Sequence, residues 1–251
     1  MSDPAQPAFA FLQPGDAFPP YGAVSEALGP IAVGADLTPD TLRAAYRRGI
    51  FPWFSTPPIL WWSPDPRMVL EVANFRLHTS LRKEMVRLLR ARRLAIRIDS
   101  ALQTVLKHCA GVYRPGQAGT WIVPEMQQTY LEFHRAGHVH SVETWIDGAL
   151  AGGLYVVNIG KAVFGESMFA LRPNASKMAL AALVAHCRAH GVALIDCQQN
   201  TAHLASLGAH EISRAAFLAQ LARSVDQPPP TWQFAPCDWA TLHPALAQAA
   251  A

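Results

Sequence analysis

Charged residues are scarce in this chain of 251 residues: only 16% are Asp, Glu, Lys or Arg, whereas 51% are hydrophobic. That balance excludes a disordered or fibrous chain and supplies a full core. Glycine (16) and proline (20) fall short of collagen-like or low-complexity levels. Long apolar runs are missing as well. No window offers roughly 18 uninterrupted apolar residues, so no transmembrane helix is expected. The opening stretch, MSDPAQPAFAFLQPGDAF, has no basic n-region and is broken by prolines, which argues against a signal peptide. Cysteine is sparse. Cys109, Cys187, Cys197 and Cys237 form no C-x-x-C pair, so a zinc ribbon or redox motif is not expected. Cys187 and Cys197 lie in apolar patterns and read as reduced core residues of a cytoplasmic protein. His134 and His138 are four apart at a helix end, but no third ligand follows and Gly137 intervenes. No metal is expected.

Basic charge, although modest in total at +3, is unevenly placed. From Arg76 to Arg97 there are eight Lys or Arg against one acid, Glu84. From Val225 onward there are two acids and no Lys or Arg. A local basic block in a near-neutral chain is the footprint of a polyanion site, or else a solvated helix face.

The length fits one large domain, or one of about 150–200 residues with a small satellite. The first 20 residues are Pro-rich and read as an extended arm. Thr38-Pro39-Asp40 is a helix start, with Thr38 as N-cap, and Gly49 provides the stop. Prolines between 52 and 64 exclude a continuous helix or central strand there. The same segment carries Trp53, Trp61 and Trp62, either a hydrophobic seam or a stacking surface. Residues 68–72 read as a strand. A basic amphipathic helix, capped by Thr79 or Ser80, carries Leu81, Met85, Leu88 and Leu89 at helical spacing. A strand over 94–98 and a helix begun by Asp99 or Ser100 follow, then a loop over 111–119. Pro124 opens a helix that Gly137 closes. Three strands come next, near 139–146, 150–157 and 162–169, joined by Asp147-Gly148 and by Asn158-Ile159-Gly160. A helix spans 176–190, a strand starts at Leu194, and helices are expected over 201–207 and 213–224. The last 20 residues read as a loose tail. The fold class is α+β, a mostly antiparallel sheet flanked by helices, with one connection long enough for a parallel strand.

The stretch LIDCQQNTAHLASLG, residues 194–208, holds the main candidate chemistry. Strand alternation places Asp196 and Gln198 on one face and Cys197 on the other. A carboxylate and an amide thus sit side by side at the mouth of an apolar strand, where Asp is costly to bury unpaired. The blander reading has Asp196 capping a loop and Gln198 bonding to backbone. The element order resembles acyltransferases of the GNAT type. Yet the loop 170–177, ALRPNASK, has no glycine, and a backbone cradle for the pyrophosphate of coenzyme A needs glycine's close approach.

Seven stretches together carry a more specific resemblance: GADLTPDTLRAAYRRGIFPWFS (34–55), ILWWSPDPRMVL (59–70), GTWIVPEM (119–126), GHVHSVETW (137–145), AGGLYVVNIGKAVFGESMF (151–169), NASK (174–177) and LIDCQQNTAHLASLGAHEI (194–212). In this order they resemble leucyl/phenylalanyl-tRNA–protein transferases over about residues 16–235. Residues 27–33 and 56–58 are shorter than the family's usual turns, which touches the N-terminal loops rather than the chemistry. The resemblance implies a small N-terminal domain (1–65), a GNAT-like catalytic domain (66–235) and a tail (236–251). It implies transfer of Leu, Phe or Met from aminoacyl-tRNA to the N-terminal amine of proteins beginning with Arg or Lys. It also implies a cytoplasmic monomer without cofactor or membrane partner, acting in N-end-rule protein degradation. Asp196 and Gln198 match the family's catalytic strand-end pair. Glu166 matches an acid beside the terminal adenosine and aminoacyl group, and could equally be a core carboxylate. Trp53 and Trp121 match aromatics that stack on the adenine. Met168, Phe169 and Ile195 are candidates for the aminoacyl pocket, although core packing explains Ile195 equally well. Arg82, Lys83, Arg87 and Arg90 share a helix face suited to acceptor-stem phosphates. Two rival readings are a coenzyme A-dependent N-acetyltransferase and a non-catalytic RNA-binding module.

Overall fold

A computed structural model describes residues 9–22, 29–112 and 120–251. The expected loop at 111–119 lies mostly outside these residues. At the N-terminal end, β1 (Ala10–Leu12), β2 (Ala32–Gly34), β3 (Phe51–Pro52) and β4 (Leu60–Trp62) form a small sheet ordered β1-β2-β4-β3. The expected arm is therefore partly strand: β1 pairs in parallel with β2 from Ala10↔Ala32 to Leu12↔Gly34. Strands this short carry too few residues to show alternation in sequence. Helix α1 (Pro39–Tyr46) starts as expected, with the Thr38 side chain accepting from the Thr41 N–H. Gly49 has φ +70°, and a Cβ there would meet Phe217 at 2.7 Å, so the stop after α1 requires glycine.

The main sheet comprises β5 (Arg67–Glu71), β6 (Leu94–Ile98), β7 (Val139–Ile146), β8 (Ala149–Ile159), β9 (Ala162–Ala170), β10 (Leu194–Gln198) and β11 (His210–Ile212). Its order is β11-β5-β10-β9-β8-β7-β6. All neighbours are antiparallel except β9 and β10, which are joined by a single crossing helix. β11 occupies a stretch expected to connect two helices; it is held by β5, with His210 opposite Val69.

Helices cover both faces. One face meets α1, α3 (Leu102–Ala110), α4 (Pro124–Arg135) and α7 (Arg214–Ser224) through Tyr155, Val157 and Phe164, and the small sheet shares this core. The other meets α2 (Thr79–Arg90) and α5 (Ala175–Ala189) through Leu154, Val156, Val163 and Ile195. Sheets buried on both faces read as continuous apolar runs, as YVV in β8 does. Short α6 (Ala202–Ser206) lies between β10 and β11.

Three local expectations are corrected. The residue that caps α2 is His78, without a side-chain cap bond. Asp99 does not start α3, whose N-cap is Ala101; Asp99 instead accepts from the Ser141 N–H at 2.8 Å. The C-terminal end is no loose tail. It forms α8 (Trp239–Leu242) and α9 (Pro244–Ala250), which bury Trp239 and Leu246 against the layer of α2 and α5. Alanine-rich α9 displays too few large apolar residues for its one buried stripe to stand out.

Candidate active site

Two β-bulges place the central groups. β8 and β9 lose register between Tyr155 and Val156, which are opposite Ser167 and Gly165, so Glu166 has no partner across the ladder. β10 shifts against β5 between Asp196 and Gln198, opposite Val69 and Met68, so Cys197 is the extra residue there. A bulge bends its strand and re-aims the local side chains. Between the two strands, registered pairing consists of Ile195↔Val163 and Asp196↔Phe164. β9 then runs on to Ala170 while β10 ends at Gln198. The sheet therefore forks where Glu166 and Gln198 stand.

At the fork the two side chains meet: Gln198 Nε2 donates to Glu166 Oε1 at 2.9 Å. Two tyrosines support the carboxyl from the helical layer. Tyr46 of α1 donates to Oε1 at 2.9 Å and Tyr130 of α4 to Oε2 at 3.1 Å, with the two hydroxyls 3.2 Å apart. Glu166 is only 9% exposed. Burial is the main cause that pushes its pKa up to about 7; the three hydrogen bonds pull it down, and the charge of Asp196 adds a small rise. Burial and the nearby carboxyl also push both tyrosines well above the ordinary range.

Asp196 is differently employed. It is 1% exposed and accepts two bonds from Arg67, Nε to Oδ1 at 2.8 Å and Nη2 to Oδ2 at 2.6 Å. The guanidinium lies between the rings of Phe51 (4.9 Å) and Phe217 (4.6 Å), an arrangement suited to arginine's flat, weakly hydrated cation. Asp196 Oδ1 also accepts from the backbone N–H of Gln198 at 2.9 Å. Gln198 has φ +63°, a left-handed conformation that costs a non-glycine residue about 1–2 kcal/mol and needs holding. The Arg67–Asp196 pair thus fixes the backbone from which Gln198 projects. The bulge at Cys197 breaks plain alternation between Asp196 and Gln198: the carboxylate is engaged by Arg67 and closed off, while the amide reaches Glu166 and is partly exposed.

Trp121 is partly buried and meets Tyr130 edge-on at 6.4 Å, so it adjoins the group that holds Glu166. Trp53 packs edge-on to Trp62 at 5.4 Å, and the Trp62 Nε1–H is bonded to its carbonyl. Trp61 is wholly buried, which makes it part of a hydrophobic seam. Phe169 stacks on His108 at 4.7 Å on the Glu166 side of the sheet. Ile195 and Met168 pack on the opposite side, with the α5 layer, and Ile195 is only 2% exposed. Met168 is half-buried, on the far flank of the fork.

The basic helix α2 also packs on that opposite side. Its Arg82, Lys83, Arg87 and Arg90 line an open groove with His243, and the Arg82 guanidinium contacts the His243 ring. The fold does not bring these cations to Glu166. Sequence reasoning missed Arg67, Tyr46 and Tyr130; a buried Asp in want of a cation was the available clue to the first.

Among known proteins, the family model described as leucyl/phenylalanyl-tRNA protein transferase matches residues 69–222. The model of that family's N-terminal domain matches residues 35–65. A leucyl/phenylalanyl-tRNA–protein transferase of Polaromonas sp. (strain JS666 / ATCC BAA-500) is 56% identical over 234 residues, covering 91% of this chain and 92% of the relative. One from Leptothrix cholodnii is also 56% identical, over 231 residues and 90% of each chain. A solved structure of a functionally unknown conserved protein from Staphylococcus epidermidis ATCC 12228 is similar at 13% identity, over 59% of this chain and 57% of that one, with a TM-score of 0.39.

Proposed function

The chain belongs to the leucyl/phenylalanyl-tRNA–protein transferase family, and from this we propose that it moves Leu, Phe or Met from aminoacyl-tRNA to the N-terminal amine of proteins beginning with Arg or Lys. The observation that carries the reading at the level of chemistry is the Glu166–Gln198 pair at the fork of β9 and β10. The ester of aminoacyl-tRNA is already activated. The enzyme's work is to hold an amine against its carbonyl carbon, take up a proton and steady the tetrahedral oxyanion.

In the proposed reaction, the carbonyl oxygen of Gln198 accepts a hydrogen bond from the acceptor's α-amine, because its amide nitrogen is already donating to Glu166. Glu166, poised near neutrality, takes the proton that the α-ammonium must lose. A C–N bond forms, the ester C–O bond breaks, and the second amine proton leaves with the ribose oxygen. Asp196 acts through Gln198: held by Arg67, it fixes the strained backbone that aims the amide. Glu166 is also the acid available to the acceptor's basic first residue, since the charge of Asp196 is matched by Arg67.

Trp121 and Trp53 are assigned to stacking on the terminal adenine. The payload's side chain is assigned to the fork, flanked by Phe169 and Met168, with Ile195 forming its floor within the core. Contacts of Arg82, Lys83, Arg87 and Arg90 are assigned to stem phosphates away from the reacting end, because α2 lies across the sheet. We further assign a boundary near residue 65 between the N-terminal domain and a GNAT-like catalytic domain. The same reading makes the protein a cytoplasmic monomer in N-end-rule degradation; no helix among the described residues is long and apolar enough to cross a membrane. Coenzyme A-dependent acetylation is disfavoured by the glycine-free loop 170–177.

The deciding experiment incubates the protein with labelled Phe-tRNA and an Arg-starting peptide. Label should pass to that peptide and not to its N-acetylated form. Acetylation of the peptide from acetyl-CoA, or tRNA binding without transfer, would overturn the proposal.

A further inference from the structure

We propose that Asp99, His134 and His140 form a divalent-metal site, with zinc as the fitting ion, that ties the end of α4 to the start of β7 and the turn after β6. The sequence offers His134 and His138 as a pair, but the fold separates their ring nitrogens by function: His138 Nδ1 faces the Asn158 carbonyl at 3.1 Å. His140 takes the second place instead. One ligand atom from each of Asp99, His134 and His140 lies within 4.8 Å of the other two.

Each donor is oriented by a neighbour that is not itself a ligand. His134 Nδ1 lies 2.7 Å from the Val139 carbonyl. A carbonyl can only accept, so Nδ1 carries the hydrogen and Nε2 presents its lone pair. Asp99 Oδ1 accepts from the Ser141 N–H at 2.8 Å, which leaves Oδ2 to face His140 Nδ1 at 2.7 Å. Asp99 sits in the left-handed region at φ +58°, which turns its carboxylate back toward β7 where β6 has ended. The His140 ring is stacked flat on Trp232, centroids 4.3 Å apart and 10° from parallel, so it cannot swing away. Two imidazoles and one carboxylate are a donor set that zinc takes in tetrahedral geometry, with water in the fourth position. Asp99 and His134 are partly exposed and His140 is buried, so ion and water have access past the first two. With bonds of about 2.0–2.2 Å, neighbouring ligand atoms stand roughly 3.3–3.5 Å apart. Binding therefore draws the spread of 4.8 Å inward by side-chain rotation and displaces the hydrogen now shared by Asp99 and His140.

The site lies outside the Glu166–Gln198 cluster, so its loss and the loss of catalysis are separately measurable. The probe is ZnCl2 alone, added to the full chain after EDTA treatment and desalting, without an affinity tag. Isothermal titration and metal analysis should give one equivalent bound. Thermal unfolding should shift upward, and the Trp232 contribution to fluorescence should change. His134→Ala and Asp99→Asn should each weaken binding at least tenfold, while His138→Ala and Cys237→Ser should not. Asp99→Asn keeps the acceptor for Ser141 and so separates lost ligation from lost folding; circular dichroism of the variants checks this. Failure to bind zinc would overturn the proposal. So would stoichiometric binding that persists in the His134→Ala/Asp99→Asn double variant, or that vanishes in Cys237→Ser.

Discussion

Replacing Glu166 by Gln separates the demands of folding from those of transfer. Glu166 is buried, and its pKa rises from the ordinary 4.5 to about 7, mainly through loss of solvent. Between those values the folded protein binds a proton that the unfolded chain has released, so stability falls as pH rises through this window. At about 1.4 kcal/mol per pH unit, the full cost above neutrality is about 3 kcal/mol. Below about pH 4.5 both states are protonated and the cost is absent. Gln is isosteric and never ionises, and it can still accept from Tyr46 or Tyr130. Urea unfolding of both proteins should therefore show nearly equal stability at about pH 4.5, and an advantage for the variant growing to about 3 kcal/mol by about pH 8. For a chain of this size that corresponds to a Tm roughly 6–12 °C higher. The same variant should transfer Phe far more slowly, by roughly 100-fold or more, and should lose the rise in kcat/KM that we expect as pH passes through neutrality. A stability difference that does not vary with pH would show that Glu166 is not held protonated by the fold. A variant with full activity would remove it from the proton path.

Other consequences follow from the same geometry. Gln198→Ala should fold normally but lose roughly 10²–10³-fold in kcat/KM for the peptide acceptor, read in the Phe-tRNA assay. Asp196→Asn leaves the Arg67 cation buried and unmatched; denaturant titration should register a loss of about 3–5 kcal/mol. The triple change Lys83→Ala/Arg87→Ala/Arg90→Ala should weaken tRNA binding and flatten the plot of log affinity against log salt by roughly 2–3, with kcat little changed. An unchanged salt slope would place the RNA elsewhere. Leu246→Ala, in the C-terminal helix, should cost about 2–5 kcal/mol, since that side chain is fully buried.

What could be read from the sequence depended on how local the causes were. The helix α1 declared itself by Thr38, Pro39 and Gly49, and the β7–β8–β9 meander by Asp147-Gly148 and by a second turn expected at Asn158–Gly160, which the structure places at Gly160-Lys161 with Asn158 and Ile159 still paired in β8. In each case the deciding groups lie within a few residues. The failures have non-local causes. β1 and β11 are three residues long and exist because β2 and β5 are there to pair with them. The last turns became helices because α2 and α5 present a surface for Trp239 and Leu246. The two bulges were invisible, because strands buried on both faces carry no strict alternation for an extra residue to interrupt, and only the partner strand reveals it.

Asp196 and Gln198 illustrate how far single-strand reasoning extends. Alternation predicted both on one face but could not show the bulge at Cys197 that interrupts it, and the cost of an unpaired carboxylate was enough to demand a partner. It did not say that the partner would be internal. Arg67 stands 129 positions earlier, at the head of the one strand that pairs antiparallel with β10. Once that register exists, Asp196 faces a cation held between two rings and ceases to be available to a substrate. Its remaining free lone pair takes the Gln198 N–H and sustains a left-handed turn. In the proposed reaction that carboxylate serves as an anchor, and ionisable chemistry passes to Glu166, which stands at the bulge of β9 and accepts from the amide. Charge compensation, more than proximity to the fork, decides which acid can work.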